Sequence, residues 1–438
     1  MDEPWLHDLL DRATVSEPPI GALALNALRA GIRQRRRRRA QGTVACVAAI
    51  ALIGTAAVAA ARTPGTPPAR PASVTGPTTT WVLSGEGNLY AIPNSTKLRG
   101  KKILLPGGRQ FMAITPNGET IYVSGDEPNA VIPVSAVTHK VGKPIGFGAH
   151  YVPTQILITP NGKTAYVTDI QGGEIYPIVT ATNTLEKPIR TGPAAGGYYQ
   201  MAITPDGKTL YAVSSNALFR GRSYVIPIAT AANKRGKPIK IQDVSVFSLI
   251  MNPDGATVYA IGESTTGTTD IVPISTATNT PGKPVSVSGN APLAITPNGQ
   301  ILYVVKDSIA TMTSGVIPFA TATNTPGKQI KIDGWPYAIA VAPDGDTAYA
   351  VSQPRQGSGP SCTGQTGLVT PFSTATNRAG RRIRVACDPY TIVVTPDGKT
   401  VWVGSRNWVT PISTATDKPG LPLTFRGDLV AIVVGPTP

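Results

Sequence analysis

The sequence predicts an all-β fold in which units of four short strands repeat along the chain, preceded by one membrane-spanning segment. The first observation behind this prediction is composition: 45 Gly and 42 Pro stand among 438 residues, about twice the ordinary share of these two turn-forming residues. The second is a turn of the form Thr/Asn/Ala-Pro-Asn/Asp-Gly, which occurs seven times. The third is that short apolar stretches flank each turn, as strands do, without the longer periodicity of helices. A helical bundle is therefore excluded.

The composition also bears on chemistry and partners. The chain holds only 3 His and 3 Cys, so sites that need several such ligands are not expected, and no metal or cofactor is predicted. The formal net charge is +15. Residues 79–438 hold 30 of the basic and 20 of the acidic residues, and such an excess favours anionic partners through long-range attraction.

Residues 1–40 are predicted to form a basic cytoplasmic tail and residues 41–61 a transmembrane helix. The stretch from Gln41 to Ala61 carries no charge over 21 residues, which is enough to cross ~30 Å of hydrocarbon. Six arginines between Arg33 and Arg39 precede it, and the positive-inside rule places them in the cytoplasm and the C-terminal part outside the cell. Beside a membrane span this run is interpreted as a topology determinant and lipid contact, and no nucleic-acid partner is predicted.

A cleaved secretory signal is the alternative to a retained span. Ala57-Val58-Ala59 offers a small-residue cleavage site, and cleavage would release the C-terminal part as a secreted protein. An N-terminal region of about forty residues is long for a signal peptide, so the retained span is the favoured prediction. Residues 62–78 follow as a Pro/Thr-rich linker, which we expect to be a semi-extended spacer.

Residues 79–438 contain the repeat. Each unit holds four predicted strands, a to d: an apolar strand before the turn such as Phe111 to Thr115, a Tyr- or Trp-containing strand after it, a strand like Ile271 to Thr276 and, beyond a polar hairpin, a short outer strand like Pro284 to Ser288. Four strands in about 45 residues are the size of one blade of a β-propeller. The glycines of the seven turns are Gly118, Gly162, Gly207, Gly255, Gly299, Gly345 and Gly398.

The number of strands predicts eight blades. The seven turns give seven a strands, and Val430 to Val434 near the C-terminus makes an eighth. Strands b, c and d each occur eight times, because Trp81 to Ser84, Asn88 to Ile92 and Lys102 to Leu105 open the region as an incomplete unit. Pairing of the last strand with these three would close the ring and leave no exposed edge. Seven blades are the alternative, if an opening or closing segment does not pack.

One feature opposes this assignment. A proline occurs in every c strand, where it removes a ladder donor and is not expected inside a sheet. Its recurrence in register predicts either a bulge or a position whose N–H has no partner. The eight residues are Pro93, Pro133, Pro177, Pro227, Pro273, Pro318, Pro371 and Pro411.

Three segments carry a family pattern. TPDGKTLYAV (Thr204 to Val213) and TPNGKTAYVT (Thr159 to Thr168) share a Pro-Asp/Asn-Gly-Lys-Thr-x-Tyr core, and STATNTPGKP (Ser275 to Pro284) has the form of the segment that follows it. These units resemble YVTN-type β-propeller repeats over residues 79–438. They depart from the usual pattern at strand c, where Ile-Pro-Ile (Ile226 to Ile228) replaces Val-Ile-Asp, and this variant resembles secreted or membrane-anchored proteins of actinobacteria. The resemblance implies a surface or periplasmic protein that binds a partner more than any one reaction.

In a propeller the a-to-b and c-to-d connections gather on one face, here called the turn face, and the d-to-a and b-to-c connections on the other, the loop face. The turn face is regular and explained by turn chemistry, whereas the loop face varies, as binding loops on a rigid scaffold do. Aromatic and Arg groups there suit glycan stacking, anionic polymers or a protein partner; the plain alternative is that each aromatic fills a gap between blades. The candidate binding residues are Tyr151, Tyr198, Tyr199, Arg220, Arg222, Trp335, Tyr337, Tyr390, Arg406 and Trp408, with Arg109 and Arg426 nearby.

Two cysteines also fall on the loop face. Cys362 lies in the long b-to-c insertion from Gln353 to Gly367, and Cys387 lies in the next d-to-a connection. Outside the membrane such a pair is predicted to form a disulfide that ties down the insertion, and a free thiol pair is the alternative.

The predicted function is that of a non-enzymatic, membrane-anchored extracytoplasmic propeller whose loop face binds a cell-envelope glycan, anionic polymer or protein. The alternative, argued from fold analogy, is a lactonase- or lyase-type enzyme that uses channel-mouth carboxylates with Arg220, Arg222 or Arg406. His139 and His150 are predicted on opposite faces and so do not form one site. A third option makes the propeller a sensor that signals through the cytoplasmic tail. The acids open to the enzyme alternative are Glu86, Glu127, Asp169, Glu263 and Asp388.

Overall fold

The structure is a computed structural model, and it describes residues 76–107, 109–125, 129–148, 153–169, 173–192, 200–215, 222–287, 293–308, 313–354 and 367–437. The predicted tail (1–40), the predicted span (41–61) and most of the linker (62–78) lie outside these ranges. Within them, no helix is long and apolar enough to cross a membrane.

The described strands form eight antiparallel sheets, numbered I to VIII in chain order. Sheet I holds β1 (Thr78–Ser84), β2 (Asn88–Pro93) and β3 (Lys102–Leu104). Sheet II holds β4 (Arg109–Ile114), β5 (Thr120–Gly125), β6 (Ala130–Ser135) and β7 (Ile145–Gly146). Sheet III holds β8 (Pro153–Ile158), β9 (Thr164–Asp169), β10 (Glu174–Val179), β11 (Thr184–Leu185) and β12 (Ile189–Arg190). Sheet IV holds β13 (Met201–Ile203), β14 (Thr209–Ser215), β15 (Arg222–Ala229), β16 (Lys234–Arg235) and β17 (Ile239–Gln242).

The second half of the ring repeats this plan. Sheet V holds β18 (Val244–Met251), β19 (Thr257–Ser264), β20 (Thr269–Ser275), β21 (Thr280–Pro281) and β22 (Val285–Val287). Sheet VI holds β23 (Leu293–Ile295), β24 (Ile301–Ser308), β25 (Thr313–Ala320), β26 (Thr325–Pro326) and β27 (Ile330–Lys331). Sheet VII holds β28 (Trp335–Val341), β29 (Thr347–Gln353), β30 (Gly367–Ser373) and β31 (Ile383–Val385). Sheet VIII holds β32 (Thr391–Val394), β33 (Thr400–Gly404), β34 (Trp408–Ser413), β35 (Lys418–Pro419) and β36 (Leu423–Thr424), and the chain continues into β37 (Leu429–Pro436).

The last strand completes the first sheet. β37 pairs with β1 in antiparallel register, from Thr78 opposite Pro436 to Leu83 opposite Ala431. The order in sheet I is therefore β3-β2-β1-β37, with three strands from the start of the domain and one from its end. This confirms the predicted eight blades and their closure through the two ends of the domain.

Each sheet is buried on both faces, because it packs against the sheets on either side. Eight clusters of buried apolar side chains lie one between each pair of adjacent blades. Between blades III and IV, Tyr166 packs with Leu210, and between blades VIII and I, Trp402 packs with Val82 and Ile432. Strands buried on both faces carry consecutive apolar residues, which is why the sequence shows apolar runs rather than strict alternation.

The repeated turn is held by the side chains that define it. In blade IV the Thr204 hydroxyl donates to Oδ1 of Asp206 over 2.7 Å, and the Lys208 amide donates to the same oxygen over 3.0 Å. Gly207, between them, has φ of +71°, a conformation open to glycine because it has no Cβ. Thr, Asp or Asn, and Gly thus recur because the turn itself requires them.

The aromatic residue of a b strand reaches the c-to-d hairpin of the next blade. Its hydroxyl donates to an asparagine whose φ is positive, a conformation that Asn tolerates better than most residues. The Tyr of the Tyr-Val motif and the Asn of the Thr-Asn motif are therefore two halves of one contact between adjacent blades. The best-formed pairs are Tyr122 with Asn183 at 2.7 Å, Tyr166 with Asn233 at 2.6 Å and Tyr211 with Asn279 at 2.8 Å.

The proline of strand c displaces no ladder donor. In blade IV the pairing of β15 with β14 is continuous through Pro227, without a bulge. The Pro227 carbonyl accepts a hydrogen bond from the Gly236 amide of the hairpin over 2.7 Å. The carbonyl and the nitrogen of Pro227 therefore both face the outer strand. That strand is interrupted at this point, between β16 and β17. Of the two predicted explanations, the second is therefore correct: the proline nitrogen lies where the ladder has no acceptor.

Blade I departs from the predicted register of these prolines. Ala91 stands opposite Trp81, the place that Pro133 takes opposite Tyr122 in blade II. The Ala91 carbonyl accepts from the Gly100 amide over 2.8 Å, as the proline carbonyls do in other blades. Pro93 lies two residues further on, so the prolines recur in register in seven blades and not in eight.

Candidate functional site

The strand order places the candidate residues on one face. Because neighbouring strands in every sheet are antiparallel, the d-to-a and b-to-c connections all lie on the loop face. Arg109 begins β4 and Arg222 begins β15, both at this face. Outside the described residues lie Tyr151, Tyr198, Tyr199, Arg220 and Cys362.

The described candidates concentrate on blades VII and VIII, beside the closing blade I. Trp335 and Tyr337 lie at the loop-face end of an inner strand, next to the channel. Trp408 begins a third strand, which is ~10 Å further out because neighbouring strands are ~4.8 Å apart. These three residues are partly exposed, as are Tyr390 and Arg406.

Arg406 is fixed at two points. Its Nε lies 3.3 Å from Oδ2 of Asp388, and 40% of the Arg side chain and 17% of the Asp side chain are exposed. Its carbonyl accepts a hydrogen bond from the Leu429 amide at the start of β37. A guanidinium held through Nε still has two terminal amino groups for a bidentate contact with a carboxylate or another oxygen pair. This residue is therefore a positioned cation at the edge of the closing blade.

The loop that carries Arg406 and Trp408 is a tight turn braced by its neighbours. The Ser405 amide donates to the Trp408 carbonyl over 2.8 Å. The Asn407 carbonyl accepts from the Phe425 amide over 2.7 Å, which ties this b-to-c loop to the d-to-a connection of the same blade. The side chains on the loop are thus presented by a rigid support, as a binding surface requires.

Tyr390 takes part in closing the ring. Its hydroxyl donates to the Leu429 carbonyl, and its amide donates to the Gly404 carbonyl over 3.0 Å. Its ring packs on the apolar cluster between blades VIII and I. Burial and then the nearby Asp428 carboxylate raise the pKa of Tyr390 well above its ordinary value, so the hydroxyl stays protonated as a donor. This placement corresponds to the plain alternative stated above, an aromatic that fills a gap between blades.

Cys387 is buried and disulfide-bonded. Its partner lies outside the described residues, because Cys387 is the one cysteine within them. The pairing with Cys362 stays a prediction. The adjacent Ala386 carbonyl accepts from the Ser405 hydroxyl over 3.3 Å, so the connection that carries the disulfide also supports the Arg406 loop.

The carboxylates of the enzyme alternative are distributed around the ring. Glu86 belongs to blade I, Asp169 to blade III and Glu263 to blade V, whereas Asp388 connects blades VII and VIII; Glu127 is not described. Among the described residues no group of three or more His, Cys, Asp or Glu is arranged to hold a metal ion.

His139 does not contribute to this face. His139 lies in the c-to-d hairpin of blade II on the turn face, edge-on to Trp81 with ring centroids 5.7 Å apart. His150 is outside the described residues.

Sequence reasoning missed two glutamines that line the inner strands. The Gln155 side chain accepts from the Met201 amide over 2.7 Å and donates to the Met201 carbonyl over 3.4 Å. Gln200, one blade on, accepts from the Leu249 amide over 3.4 Å. Each satisfies main-chain groups of the next blade's a strand at the edge where no further strand pairs. The available signal was the Gln that precedes the apolar stretch in TQILIT and YQMAIT.

Eight sheets closed through the two ends of the domain define an eight-bladed β-propeller. No family model and no curated protein matches the sequence. Among solved structures the chain is similar to dihydro-heme d1 dehydrogenase NirN in complex with DHE, with a TM-score of 0.63 and 13% identity, over 84% of this chain and 76% of that one.

Two further structures are similar to the chain. One is Citrobacter koseri AztD, with a TM-score of 0.59 and 10% identity, over 82% of this chain and 98% of that one. The other is hydrazine synthase of Kuenenia stuttgartiensis, with a TM-score of 0.54 and 21% identity, over 72% of this chain and 97% of that one. At these identities the likeness shows the fold alone.

Proposed function

We propose that this chain is a membrane-anchored, extracytoplasmic propeller of YVTN type that binds a cell-envelope partner through its loop face. The observation that carries the proposal is the sector of blades VII and VIII, where partly exposed Trp335, Tyr337 and Trp408 share the face with Arg406. Rings and a positioned guanidinium on a rigid support are the composition of a binding hot spot. The turn face, by contrast, uses its repeated residues for its own turns and for contacts between blades.

The anchoring part of the proposal rests on the sequence. The uncharged run 41–61 and the arginines before it support a retained span with a cytoplasmic N-terminus. Cleavage near Ala59 would release the domain instead. The two cases are separated by the mature N-terminus and by alkaline extraction of membranes, which leaves a spanning chain in the pellet.

The charge of the loop face favours a glycan or a protein over an anionic polymer as the partner. By their positions in the chain, twelve acidic and seven basic residues of 79–438 belong to loop-face connections or the adjoining strand ends. Two of these acids, Glu174 and Asp333, pair with Arg190 and Arg382 at the outer strands. The loop-face connections themselves therefore carry no positive excess. Aromatic side chains bind without a partner of opposite charge, because they stack on sugar rings or fill pockets of a protein partner.

The test is co-sedimentation of the full chain with purified cell-wall material across a salt series. Trp335→Ala and Trp408→Ala are each expected to weaken binding about tenfold or more, as hot-spot aromatics do. Tyr224→Ala is the matched control, an aromatic 39% exposed on blade IV, and it is expected to bind as the parent does.

Two results would count against the proposal. Binding that falls steeply with salt and ignores both Trp substitutions would remove the loop face as the binding surface. A complete absence of binding at low salt would remove the wall glycan and leave a protein partner to be sought.

A lactonase- or lyase-type enzyme is the second candidate, favoured by the Asp388–Arg406 pair. A carboxylate and a guanidinium 3.3 Å apart on two adjoining, partly exposed connections are groups that can move a proton and stabilise developing negative charge. Turnover of a lactone substrate that is lost in Asp388→Asn and kept in Glu186→Gln, on the turn face, would support this candidate over simple binding.

A further inference from the structure

A belt of basic residues surrounds the propeller along its c-to-d hairpins, on the turn face, and the outer strands that follow them. The belt consists of eight described segments, each running from a c-to-d hairpin into the outer strand, and together they hold twenty Lys and Arg against two acids, Glu186 and Asp417. The rest of residues 79–438 holds ten basic and eighteen acidic residues. The belt therefore carries more than the whole positive excess of the domain. The segments are 94–104, 136–146, 180–190, 230–242, 276–287, 321–331, 374–385 and 414–424.

One position of the belt is basic in seven blades and exposed in all eight. It is the position directly after the hairpin glycine. In blade III, Glu186 stands in place of that glycine. In blade VIII it is Leu421, which at 87% is the most exposed large apolar side chain of the described residues. No ion pair joins a basic member to another described residue. The basic members, here called the ring residues, are Lys101, Lys143, Lys187, Lys237, Lys283, Lys328 and Arg381.

The polypeptide enters the domain on this same side. β1 begins at Thr78, and the Thr78 carbonyl accepts from the Asn94 amide of the first c-to-d hairpin over 3.0 Å. The remaining linker, residues 62–77, reaches at most ~50 Å when fully extended at ~3.3 Å per residue. If residues 41–61 span the membrane, as proposed, the linker joins the bilayer to the turn face of the domain.

We infer that the turn face is the membrane-facing side of the propeller and that the belt docks on anionic lipid headgroups. The inference rests on the proposed anchoring. The ring residues are distributed around the whole circumference of the propeller, so a planar surface such as a membrane can contact all of them at once. A linear polymer would contact only those on one side of the ring. The inner a-to-b turns on this face add six acids and three lysines, so the face stays strongly positive. Docking in this way directs the loop face away from the membrane, toward the envelope partner.

The test is site-resolved labelling of lysines in the full chain reconstituted into vesicles. Vesicles of phosphatidylcholine alone are compared with vesicles that also contain phosphatidylglycerol, using a membrane-impermeant amine reagent and mass spectrometry of each lysine. We expect the six ring lysines to react about threefold or more slowly on the anionic vesicles and to recover at high salt, where charges are screened. Lys306 lies toward the loop-face end of β24 and serves as the internal control, with an unchanged rate.

A variant with all seven ring residues changed to Gln tests the cause. Protection of other basic residues of the hairpins, such as Lys140 and Lys234, is expected to be lost in it. The matched variant Lys163→Gln, Lys208→Gln and Lys399→Gln, in the inner turns of the same face, is expected to keep that protection. All these positions are on the surface, so both variants should melt as the parent does.

The outcomes that overturn the inference are distinct from those that concern anchoring. Equal labelling rates on the two kinds of vesicle overturn it. Protection by soluble polyphosphate but not by vesicles also overturns it, and makes a polymer the partner. Alkaline extraction of the same vesicles reports on anchoring by itself, since a chain that leaves the bilayer contradicts the span whatever the labelling shows. A failure of the Trp335 and Trp408 substitutions in the wall-binding test concerns the loop face only.

Discussion

At the scale of single residues, the contact between a b-strand aromatic and the next hairpin explains which positions the repeat keeps. In four blades a Tyr hydroxyl donates to an Asn of the next hairpin, but blade II places His139 where Asn183 stands in blade III, and both residues have positive φ. The Nε1 of Trp81, which faces this hairpin, is buried and has no hydrogen-bond partner among the described residues. Trp402, in the same position of blade VIII, donates to Asn94 over 2.8 Å. A buried donor without an acceptor costs stability.

His139→Asn is therefore expected to stabilise the protein. Asn favours the left-handed backbone and offers Trp81 an acceptor, which together are worth about 1 kcal/mol. The measurement is the melting temperature, with Asn183→Ala as the opposite control, because it removes the nearer acceptor of the Tyr122 hydroxyl and leaves only the Thr180 carbonyl at 3.4 Å. A His139→Asn variant that melts below the parent would contradict this account.

Asp417 gives a second residue-scale prediction, one that depends on pH. Burial raises the pKa of Asp417 from its ordinary value of 3.8, and its charge in turn raises the pKa of Tyr349 in the neighbouring blade. A raised carboxyl pKa means that the folded state holds the proton more tightly than the unfolded state does, so stability is lost as pH rises through that range.

Asp417→Asn removes this titration and is expected to be more stable than the parent at neutral pH. The difference should shrink as the pH falls and vanish below the ordinary carboxyl pKa of 3.8, where the parent carboxyl is protonated in both the folded and the unfolded state. Thermal melts of both proteins across the acid range provide the measurement. A constant difference at every pH would mean that the ionisation of Asp417 does not matter.

At the scale of elements, the loop-face connections of blades VII and VIII support one another. The connection that holds Cys387 also accepts a hydrogen bond from Ser405, and the loop that follows Ser405 carries Arg406. Constraining the first connection therefore positions the second. A disulfide is a strong constraint of this kind, because it removes conformations from the unfolded chain.

Replacing Cys387 by Ser is expected to cost about 2–4 kcal/mol of stability. If Cys362 is its partner, Cys362→Ser should lower the melting temperature by the same amount, and the double variant should be no worse than either. Cys46→Ser provides the control and should melt as the parent does under oxidising conditions. If Cys46→Ser lowered the melting temperature as much as Cys387→Ser does, Cys46 and not Cys362 would be the partner of Cys387.

Sequence reasoning succeeded where the signal is local. Strands, turns and the closing strand each have their own pattern within a few residues, so the eight sheets and the pairing of β37 with β1 were predicted. The contact of Tyr122 with Asn183 joins residues 61 positions apart. The sequence around either residue contains no pattern that identifies the other as its partner. Pro93 was misplaced for a related reason, because composition shows a proline in each c strand whereas register is set by pairing across strands.

The candidate site was predictable only in part. Residue types assigned Arg406 and Trp408 to the loop face, yet the Arg406 contact with Asp388 depends on two different connections. Tyr390 has the same appearance in the sequence as an exposed binding residue, but its hydroxyl is used by the closing strand. Net charge likewise has no position until the topology is known, so the composition predicted anionic partners without indicating which surface carries the positive excess.

At the scale of the whole molecule, the buried tyrosines set an alkaline limit to stability. Burial raises the pKa of Tyr122 to about 12, and burial followed by a nearby carboxylate does the same for Tyr166 and Tyr349. The unfolded chain ionises its tyrosines near their ordinary value of 10.0. Between these values the unfolded state releases protons that the folded state keeps, so stability falls as pH rises.

We therefore expect the melting temperature to drop steeply above about pH 10. The ultraviolet signal of tyrosinate should appear together with the loss of β-sheet circular dichroism, since these hydroxyls ionise only once the blades separate. Tyrosinate that forms fully while the sheet signal is intact would contradict the burial of these groups.

The closing strand has a consequence for the order in which this protein is made. Ribosomes deliver β1, β2 and β3 before the other strands of the domain and β37 after them, so the innermost place of blade I stays empty until the other seven blades have been synthesised. Meanwhile the free edge of β1 is a template for pairing with the wrong strand or with another nascent chain. A chain truncated anywhere before Leu429 would leave this one edge open even where the other blades are complete. Blade I is thus the last blade of the domain to be completed.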